Sequence, residues 1–160
     1  MEKVFVLKDS VFRLAFLFTL RRQEAEDITQ DVFLKLWNQR DVIREVSNLK
    51  AYTLKITRNI CIDRKERNET YHKKVLPVVG GNLNASELLN VEERQLLNKV
   101  LHVIQDFPDH QRLIFSLRII EGFSYEDISS ITGLSAANIR MIVSRVRQEL
   151  RNQFKESIYE

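Results

Sequence analysis

The residues best suited to chemistry in this sequence lie near the C-terminus, on one face of a predicted helix that begins at Ala136. Arginine, asparagine and serine side chains can hydrogen-bond the base edges and phosphates of a nucleic acid. This polar face consists of Asn138, Arg140, Met141, Ser144, Arg145, Gln148 and Arg151. The opposite face is apolar and consists of Ile139, Ile142, Val143, Val146 and Leu150. The pattern predicts a helix with one buried face and one basic face.

A shorter predicted helix precedes it, over Tyr125–Thr132, with Ser124 as its N-cap and Asp127 as a capping-box acid. In the connection Gly133-Leu134-Ser135, the glycine adopts the left-handed backbone conformation readily, and the serine can cap the next helix. Two helices joined in this way form a helix-turn-helix, whose second helix enters the major groove of DNA. An ordinary surface hairpin of two helices remains the alternative for this stretch alone.

Residues able to catalyse a reaction or bind a metal are scattered. His72, His102 and His110 do not lie at metal-ligand spacing from one another or from the single cysteine, Cys61. The pair Gly80-Gly81 does not belong to a phosphate-binding loop or a nucleophile elbow. We therefore expect neither an enzyme nor a bound metal or cofactor. A single cysteine excludes an internal disulfide, fits a reducing compartment and is expected to be half-buried.

Composition favours helices. The chain has 160 residues, 44% of them hydrophobic and 29% charged, with only four glycines and two prolines. We expect an all-α fold of two small domains joined by a flexible linker, because residues 70–87 contain Pro77 and Gly80-Gly81 and have no helical period. The expected boundaries are 1–69, 70–87 for the linker, and 88–160. The apolar stretch Val11–Leu20 is too short and too interrupted by charge to span a membrane, so we expect a cytoplasmic protein.

The charge is unevenly distributed although the net charge is only +3, which suggests two partners of different charge. A predicted second helix, starting near Glu24, has an outer face with acids, amides and one exposed leucine: Asp27, Gln30, Asp31, Leu34 and Asn38. This face is either a contact site for a basic partner or a solvated surface.

A predicted loop over Asn38–Ser47 leads to a third helix from Asn48 to about Asn68. Its outward face is expected to carry Lys50, Leu54, Arg58, Cys61 and Lys65. Basic residues mixed with apolar ones suit a track along a nucleic-acid backbone, and a solvated charged face is the equal alternative. In the C-terminal domain, a helix from about Glu87 ends before Pro108, and Asp109 is expected to cap the next helix.

Three segments, in this order, together resemble the extracytoplasmic-function (ECF) sigma factors of bacterial RNA polymerase, a branch of the sigma-70 family. They are AEDITQDVFLKLW (Ala25–Trp37), NLKAYTLKITRNICIDRKER (Asn48–Arg67) and LIFSLRIIEGFSYEDISSITGLSAANIRMIVSRVRQELR (Leu113–Arg151). The resemblance covers nearly the whole chain and is much more specific than a helix-turn-helix alone.

The resemblance implies that the protein binds core RNA polymerase, recognises the −35 and −10 promoter elements and promotes DNA melting. It implies that the second helix binds the clamp helices of the β′ subunit through Asp27, Gln30, Asp31, Leu34 and Trp37, and that the β flap is a further contact on the polymerase. It further implies regulation by an anti-sigma factor, which in this family is often anchored in the membrane.

For the −10 element, the resemblance implies a base-binding pocket in the loop Arg44–Asn48, with more contacts along the third helix. The implied residues are Arg44, Asn48, Tyr52, Lys55, Arg58, Asn59 and Arg64. A structural role for Asn59 is an equal alternative.

For the −35 element, the resemblance implies contacts from Ala137, Asn138, Arg140, Met141, Ser144, Arg145 and Arg147. Arg140 can hydrogen-bond a guanine and Asn138 an adenine. The sequence departs from the family at Met141-Ile142, where many members have a small residue followed by arginine.

Two other functions remain open at this point. One is a stand-alone helix-turn-helix regulator that binds an operator without replacing a sigma factor. The other is an interaction protein that binds polymerase without opening DNA.

Overall fold

A computed structural model of the protein describes residues 2–71 and 91–159. Every regular element in these two ranges is helical, as the sequence predicts. The N-terminal range contains α1 (Glu2–Phe5), α2 (Lys8–Thr19), α3 (Arg22–Asn38), α4 (Arg40–Ile43) and α5 (Leu49–Tyr71). The C-terminal range contains α6 (Val91–Ile104), α7 (Asp109–Phe115), α8 (Tyr125–Thr132) and α9 (Ala136–Tyr159). Residues 72–87 of the predicted linker, and the predicted start of α6 at Glu87, lie outside the described residues.

Several predicted boundaries change in the structure. The segment predicted as the loop Asn38–Ser47 contains the single helical turn α4, and α3 begins two residues before Glu24. Asp109 does not cap α7, because the N-cap position is taken by Pro108 and Asp109 is the first helical residue. Its carboxylate instead forms an ion pair with Lys65 of α5.

Local sequence explains the ends of the short helices. The Ser124 side chain accepts the Asp127 backbone N–H at 3.0 Å, which satisfies one of the free N–H groups at the start of α8. Gly133 ends α8 with a φ of 77°, a conformation that glycine adopts without a steric penalty. The end of α2 is less usual, since Leu20 takes the same left-handed region with a φ of 56° while its side chain is buried.

The helix α7 continues into one turn of π-helix over Ser116–Ile120. The Glu121 backbone N–H donates to the Ser116 carbonyl at 2.9 Å, which is the five-residue spacing of that helix. Gly122 follows with a φ of 73° and reverses the chain towards α8. The wider turn sets the position of Glu121, which faces the N-terminal domain.

Apolar faces of both domains meet in one continuous core. In the N-terminal domain, Leu14 of α2, Ile28 of α3 and Leu54 of α5 have no exposed surface. In the C-terminal domain, the same holds for Ile114 of α7 and Ile139 of α9. The helix α2 packs against α7, and α5 packs against α8, so the two domains lie directly against each other.

The burial of α5 corrects one expectation. The face predicted to point outward includes Leu54 and Cys61, but these side chains are only 0% and 1% exposed. They lie between Lys50, Arg58 and Lys65 on the same stripe, and those three residues contact the C-terminal domain. This stripe, which we call the α5 stripe, is an interface within the protein.

Candidate nucleic-acid and protein interfaces

An exposed apolar and acidic patch lies on α3. Leu34 is 61% exposed and Trp37 is 50% exposed, although both are large hydrophobic side chains. The other residues of the predicted polymerase-binding set are exposed on the same helix and are Asp27, Gln30 and Asp31. Exposed apolar groups bordered by charge are typical of a protein–protein contact. The guanidinium of Arg40 lies 5.4 Å from the Trp37 ring and supports its orientation.

Two further apolar side chains in the structure were not part of the predicted patch. Phe5 of α1 stacks on Phe33 of α3 with ring centroids 5.7 Å apart, yet Phe5 remains 63% exposed. Val6 beside it is 79% exposed. The sequence signal for them was weak, because a four-residue helix shows no periodicity. Stacking on Phe33 places Phe5 against the helix that carries the patch.

In the N-terminal half of α5 and the loop before it, some of the predicted −10 residues are exposed and others form hydrogen bonds within the protein. Arg44 and Lys55 are exposed. The Asn48 side chain accepts the Ala51 backbone N–H at 3.0 Å and thereby caps α5. The Tyr52 hydroxyl donates to the Gln39 side chain at 3.0 Å. Asn48 and Tyr52 therefore fix the geometry of the loop.

The C-terminal half of the same predicted set is engaged within the protein. Arg58 donates to the Asn59 side chain at 3.0 Å and to the Thr132 carbonyl, at the end of α8, at 3.4 Å. Arg64 forms an ion pair of 2.5 Å with Asp31 of the α3 patch. The structure therefore divides the seven predicted −10 residues into an exposed group and a group that makes internal contacts.

The helix-turn-helix has the geometry that its sequence predicts. The Ser129 hydroxyl donates to the Leu134 carbonyl at 2.6 Å, which holds the turn against α8. Ser135 then accepts the Asn138 backbone N–H at 3.2 Å and caps α9. Ile139, Val143 and Val146 are buried. These contacts fix the angle between the two helices and leave the opposite face of α9 exposed.

The exposed face of α9 carries the predicted −35 residues. Ala137, Arg140, Met141, Ser144, Arg145 and Arg147 are exposed, and Asn138 is half-buried. Arg140 and Arg118 place their guanidinium groups 4.8 and 4.4 Å from the Tyr125 ring. The ring restricts Arg140 before any ligand arrives, which lowers the entropy lost on binding. Met141 is 51% exposed, so it lies where a DNA-reading helix would present a side chain to a groove.

Two charged residues that the sequence did not indicate lie at the contact between the domains. The Glu121 side chain is only 1% exposed and forms ion pairs of 3.0 Å with both Arg13 and Lys50. Burial alone raises the pKa of this carboxyl, but hydrogen bonds from Arg13, Ser10 and Lys50 outweigh it and lower the pKa below its usual value.

Arg112 is the second of these residues. It is 9% exposed and donates to the Leu17 and Phe18 carbonyls at 2.6 and 2.7 Å, and also to the Phe107 carbonyl. Burial lowers the pKa of its guanidinium. The two carbonyls belong to the last turn of α2, whose free C=O groups form the negative end of the helix.

Side chains that could bind a metal ion do not come together in the part of the chain that the structure describes. No three His, Cys, Asp or Glu residues in 2–71 and 91–159 lie close enough to hold a metal ion. The Cys61 thiol is more deeply buried than expected, and burial, assisted by the charge of Glu24, raises its pKa to about 12. Within the same two ranges, no helix is long and apolar enough to cross a membrane.

Comparisons with known proteins identify both halves of the chain. The family model for sigma-70 region 2 matches residues 7–70, and the model for sigma-70 region 4 matches residues 97–150. The ECF RNA polymerase sigma factor EcfG from Rhodopseudomonas palustris is 31% identical over 134 residues, which are 79% of this chain and 68% of that protein. The ECF sigma factor SigE from Mycolicibacterium smegmatis is 28% identical over 154 residues and 90% of this chain.

The lengths of these relatives differ from that of the chain. The chain spans 57% of the length of SigE, and 38% of the probable sigma factor RfaY from Xanthomonas campestris. Among solved structures, the fold is similar to that of the sigma factor RpoE in complex with the anti-sigma factor NepR from Bartonella quintana. The TM-score is 0.75 and the sequence identity is 24%, with 96% of this chain and 95% of that chain covered. Two sigma-70 regions in the expected order, and a relative above 30% identity, show that the chain belongs to the ECF family of RNA polymerase sigma factors.

Proposed function

We propose that this chain acts as an ECF sigma factor that binds core RNA polymerase, recognises the −35 and −10 promoter elements and promotes DNA melting. The observation that supports this most is that one chain exposes two separate surfaces of different chemistry. The α3 patch has exposed apolar groups among acids, and α9 has an exposed basic face. A polymerase-bound role places the protein in the cytoplasm and leaves the polymerase to perform the chemistry.

The domain assignment is part of this proposal. Residues 1–69 form the region 2 domain that binds core polymerase and the −10 element, 70–87 the linker, and 88–160 the region 4 domain that binds the −35 element. The matched ranges 7–70 and 97–150 support it.

The proposed polymerase contact consists of Asp27, Gln30, Asp31, Leu34 and Trp37. Truncating a central apolar anchor of such an interface typically costs about 2 kcal/mol or more, so Leu34→Ala is expected to weaken binding to core polymerase at least about tenfold. Lys35→Ala is the matched control, because Lys35 is exposed on the same helix and outside the proposed set. Fluorescence anisotropy of labelled protein against core enzyme measures both. If the two variants bind core polymerase with equal affinity, Leu34 is not part of the contact.

For the −10 element, we propose that Arg44 and Lys55 contact the DNA directly and that Asn48 and Tyr52 shape the loop. Arg58, Asn59 and Arg64 complete the set once their internal contacts are released. Permanganate footprinting of the melted strand tests whether Arg44 takes part in melting. Arg44→Ala is expected to reduce melting while leaving affinity for core polymerase unchanged, and intact melting would contradict its role.

For the −35 element, we propose that Arg140 bonds a guanine and Asn138 an adenine, with Ala137, Met141 and Ser144 nearby and Arg145 and Arg147 on phosphates. A base contact and a phosphate contact have different signatures. Arg140→Ala should relax the preference at one base pair, and Arg147→Ala should weaken all sequences alike and reduce the salt slope by about one. A selection of −35 sequences with each variant tests this assignment, and identical preferences would contradict it.

We also propose that an anti-sigma factor regulates the protein. One structure of similar fold, the sigma factor RpoE, was solved with the anti-sigma factor NepR, and a second, CnrH, was solved with the cytosolic domain of CnrY. Whether the partner is membrane-anchored can be read from the protein that co-purifies with this chain.

Run-off transcription with core enzyme on genomic fragments tests the whole proposal. A transcript that depends on this protein, with a −35 and a −10 element upstream, is expected. Confirmed binding to core enzyme without such a transcript would favour the interaction-only alternative. Specific binding to DNA without core enzyme, in a gel shift, would favour the stand-alone regulator.

A further inference from the structure

A small apolar surface lies near the start of the chain, at the end of the helix α1. Phe5 is 63% exposed and Val6 is 79% exposed. Val4 beside them is buried and anchors α1 in the core. The Leu7 backbone N–H donates to the Val4 carbonyl at 3.0 Å, and the Val11 backbone N–H donates to the Leu7 carbonyl at 2.9 Å. The chain therefore turns directly from α1 into α2, and a hydrogen-bonded backbone presents Phe5 and Val6 to solvent.

This surface is continuous with the patch on α3. The Phe5 ring stacks on the Phe33 ring, with centroids 5.7 Å apart and planes inclined by 24°. Phe33 and Trp37 are four residues apart on α3, and Leu34 and Trp37 are three apart, so each pair lies side by side on the helix surface. A row of apolar side chains therefore runs from Phe5 over Phe33 and Trp37 to Leu34.

The chemistry of this row favours a protein partner over DNA. Its charged neighbours on the exposed side of α3 include the acids Asp27 and Asp31, which repel a phosphate backbone. Large apolar side chains that stay exposed next to one another are typical of a surface that is covered in a complex, and aromatic residues are enriched in such contacts. Because Trp37 belongs to the proposed polymerase contact, a partner that covers Trp37 also approaches Phe33 and Phe5.

We propose that Phe5 and Val6 form a second apolar anchor of the polymerase-binding surface, which docks against apolar side chains of core RNA polymerase beside the α3 contact. This inference rests on the proposed sigma-factor function, because it enlarges the contact proposed for α3. The family model for sigma-70 region 2 matches residues 7–70, so both anchor residues lie outside the matched range.

The geometry of α1 suits an anchor of this kind. Phe5 is stacked on Phe33 before any partner arrives, so its side chain loses little freedom on binding. Val6 is β-branched and has few accessible rotamers, which has the same effect. Both residues therefore present apolar area whose burial is offset by only a small loss of side-chain entropy.

Fluorescence anisotropy of labelled protein against core enzyme tests the anchor. Val6→Ser changes a side chain that is 79% exposed, and Val42→Ser is the matched control, because Val42 is a 57% exposed valine of the same domain outside the proposed contact. We expect Val6→Ser to weaken binding about three- to tenfold and Val42→Ser less than about twofold. Phe5→Ala should weaken it about tenfold, with circular dichroism to check that the helices remain. Unchanged affinity in both Val6→Ser and Phe5→Ala would overturn the anchor.

The salt dependence separates an apolar contact from an electrostatic one. The loss of affinity in Phe5→Ala should be the same at about 0.1 M and about 0.5 M NaCl, because salt does not screen an apolar contact. The loss in Asp31→Asn should shrink at the higher concentration, because Asp31 is an exposed charge. A Phe5→Ala loss that disappears at high salt would contradict an apolar anchor.

Crosslinking identifies what covers the surface. The photoreactive amino acid benzoylphenylalanine, placed at position 5, should crosslink to polymerase when core enzyme is present. The same amino acid at position 42 should give no such product. A crosslink from position 5 only to a second copy of this chain or to promoter DNA, or no crosslink to polymerase at all, would overturn the proposal.

The anchor and the sigma-factor function fail in different ways. If the unaltered protein does not bind core enzyme, the proposed function fails and the anchor fails with it. If the unaltered protein binds core enzyme and Leu34→Ala weakens the binding, while Phe5→Ala and Val6→Ser do not, only the anchor fails.

Discussion

Replacing Arg112 by methionine is expected to uncouple the two domains and to destabilise the protein. Arg112 lies in α7, yet two of its three hydrogen bonds go to the carbonyls of Leu17 and Phe18, at the end of α2. Methionine has a similar length and no donor, so it fills part of the space and leaves both carbonyls without their partners.

The size of the effect follows from these contacts. A buried polar group left without its hydrogen bond costs about 1–3 kcal/mol, so two carbonyls give roughly 2–6 kcal/mol. The substitution also removes the free-energy cost of burying a charged guanidinium, which the lowered pKa of Arg112 indicates. This gain offsets part of the loss. We therefore expect a loss near 3 kcal/mol in the free energy of unfolding, or a shift of about 1.5 M in the urea midpoint at a slope near 2 kcal/mol/M.

Two optical probes can follow the domains separately. Trp37 is the single tryptophan of the chain and lies on α3, so its fluorescence reports the N-terminal domain. Circular dichroism reports helices of both domains. If the domains unfold as one unit, the two urea transitions of the unaltered protein coincide, and in Arg112→Met they should separate.

Arg147→Met provides the control, since Arg147 is exposed and surface substitutions usually change stability by less than about 0.5 kcal/mol. Coincident transitions in Arg112→Met, with stability within that range of the control, would refute the idea that Arg112 couples the domains.

Three further predictions concern single positions. Gly133→Ala should cost about 1–2 kcal/mol in thermal unfolding, because a φ of 77° is strained for a residue with a Cβ, although no other atom lies within 4 Å of that Cβ. Gly133→Asn should cost less, since asparagine tolerates this conformation better, and equal losses in the two variants would contradict backbone strain as the cause. Cys61, with a buried thiol whose pKa is raised to about 12, should resist a thiol reagent at pH 8 until urea unfolds the chain, and rapid labelling of the native protein would show that the site opens. The pKa of Glu121 is lower in the folded than in the unfolded chain, so its contribution to stability is present above the unfolded value near 4.5 and is lost as pH falls through the lower, folded value. Urea titrations between pH 7 and 3 should show a smaller acid loss in Glu121→Gln than in the unaltered protein, and equal slopes would exclude this contribution.

The helix-turn-helix could be predicted residue by residue because its determinants are local. Ser124 caps α8 through a group three residues away, and Gly133 ends the helix through its own backbone conformation. The apolar spacing of α9 selects which side of the helix is buried, and Ile139 and Val143 lie there as predicted. Such features depend on neighbours within one or two turns, which a single sequence displays directly.

The chemistry of the exposed patches was also visible in the sequence, but the contact residues proposed for them stay predictions. In the sequence, Leu34 lies among acids on the polar face of the predicted helix, and a large apolar side chain in such a position indicates a contact site. Its exposure in the structure fits that interpretation. Phe5, which stacks beside it on Phe33, depended on a helix too short to show a period.

Only the tertiary structure decided the role of the α5 stripe. The spacing of Lys50, Leu54, Arg58, Cys61 and Lys65 shows that these residues share one face, and we expected that face to point outward. The structure buries Leu54 and Cys61 and directs the three basic residues to the other domain. Helical periodicity identifies which residues share a face, and it carries no information on which element covers that face.

The same limit applies to the two buried charges. Glu121 is 108 residues from Arg13 and 71 from Lys50, and Arg112 is 95 residues from Leu17. In the sequence each is one charged residue among many, and a solvated position is the usual expectation. The sequence by itself therefore determined the helices, their caps and the chemistry of the exposed faces. The packing of one domain on the other decided which charges lose their water and act as contacts, because burial is a property of distant partners.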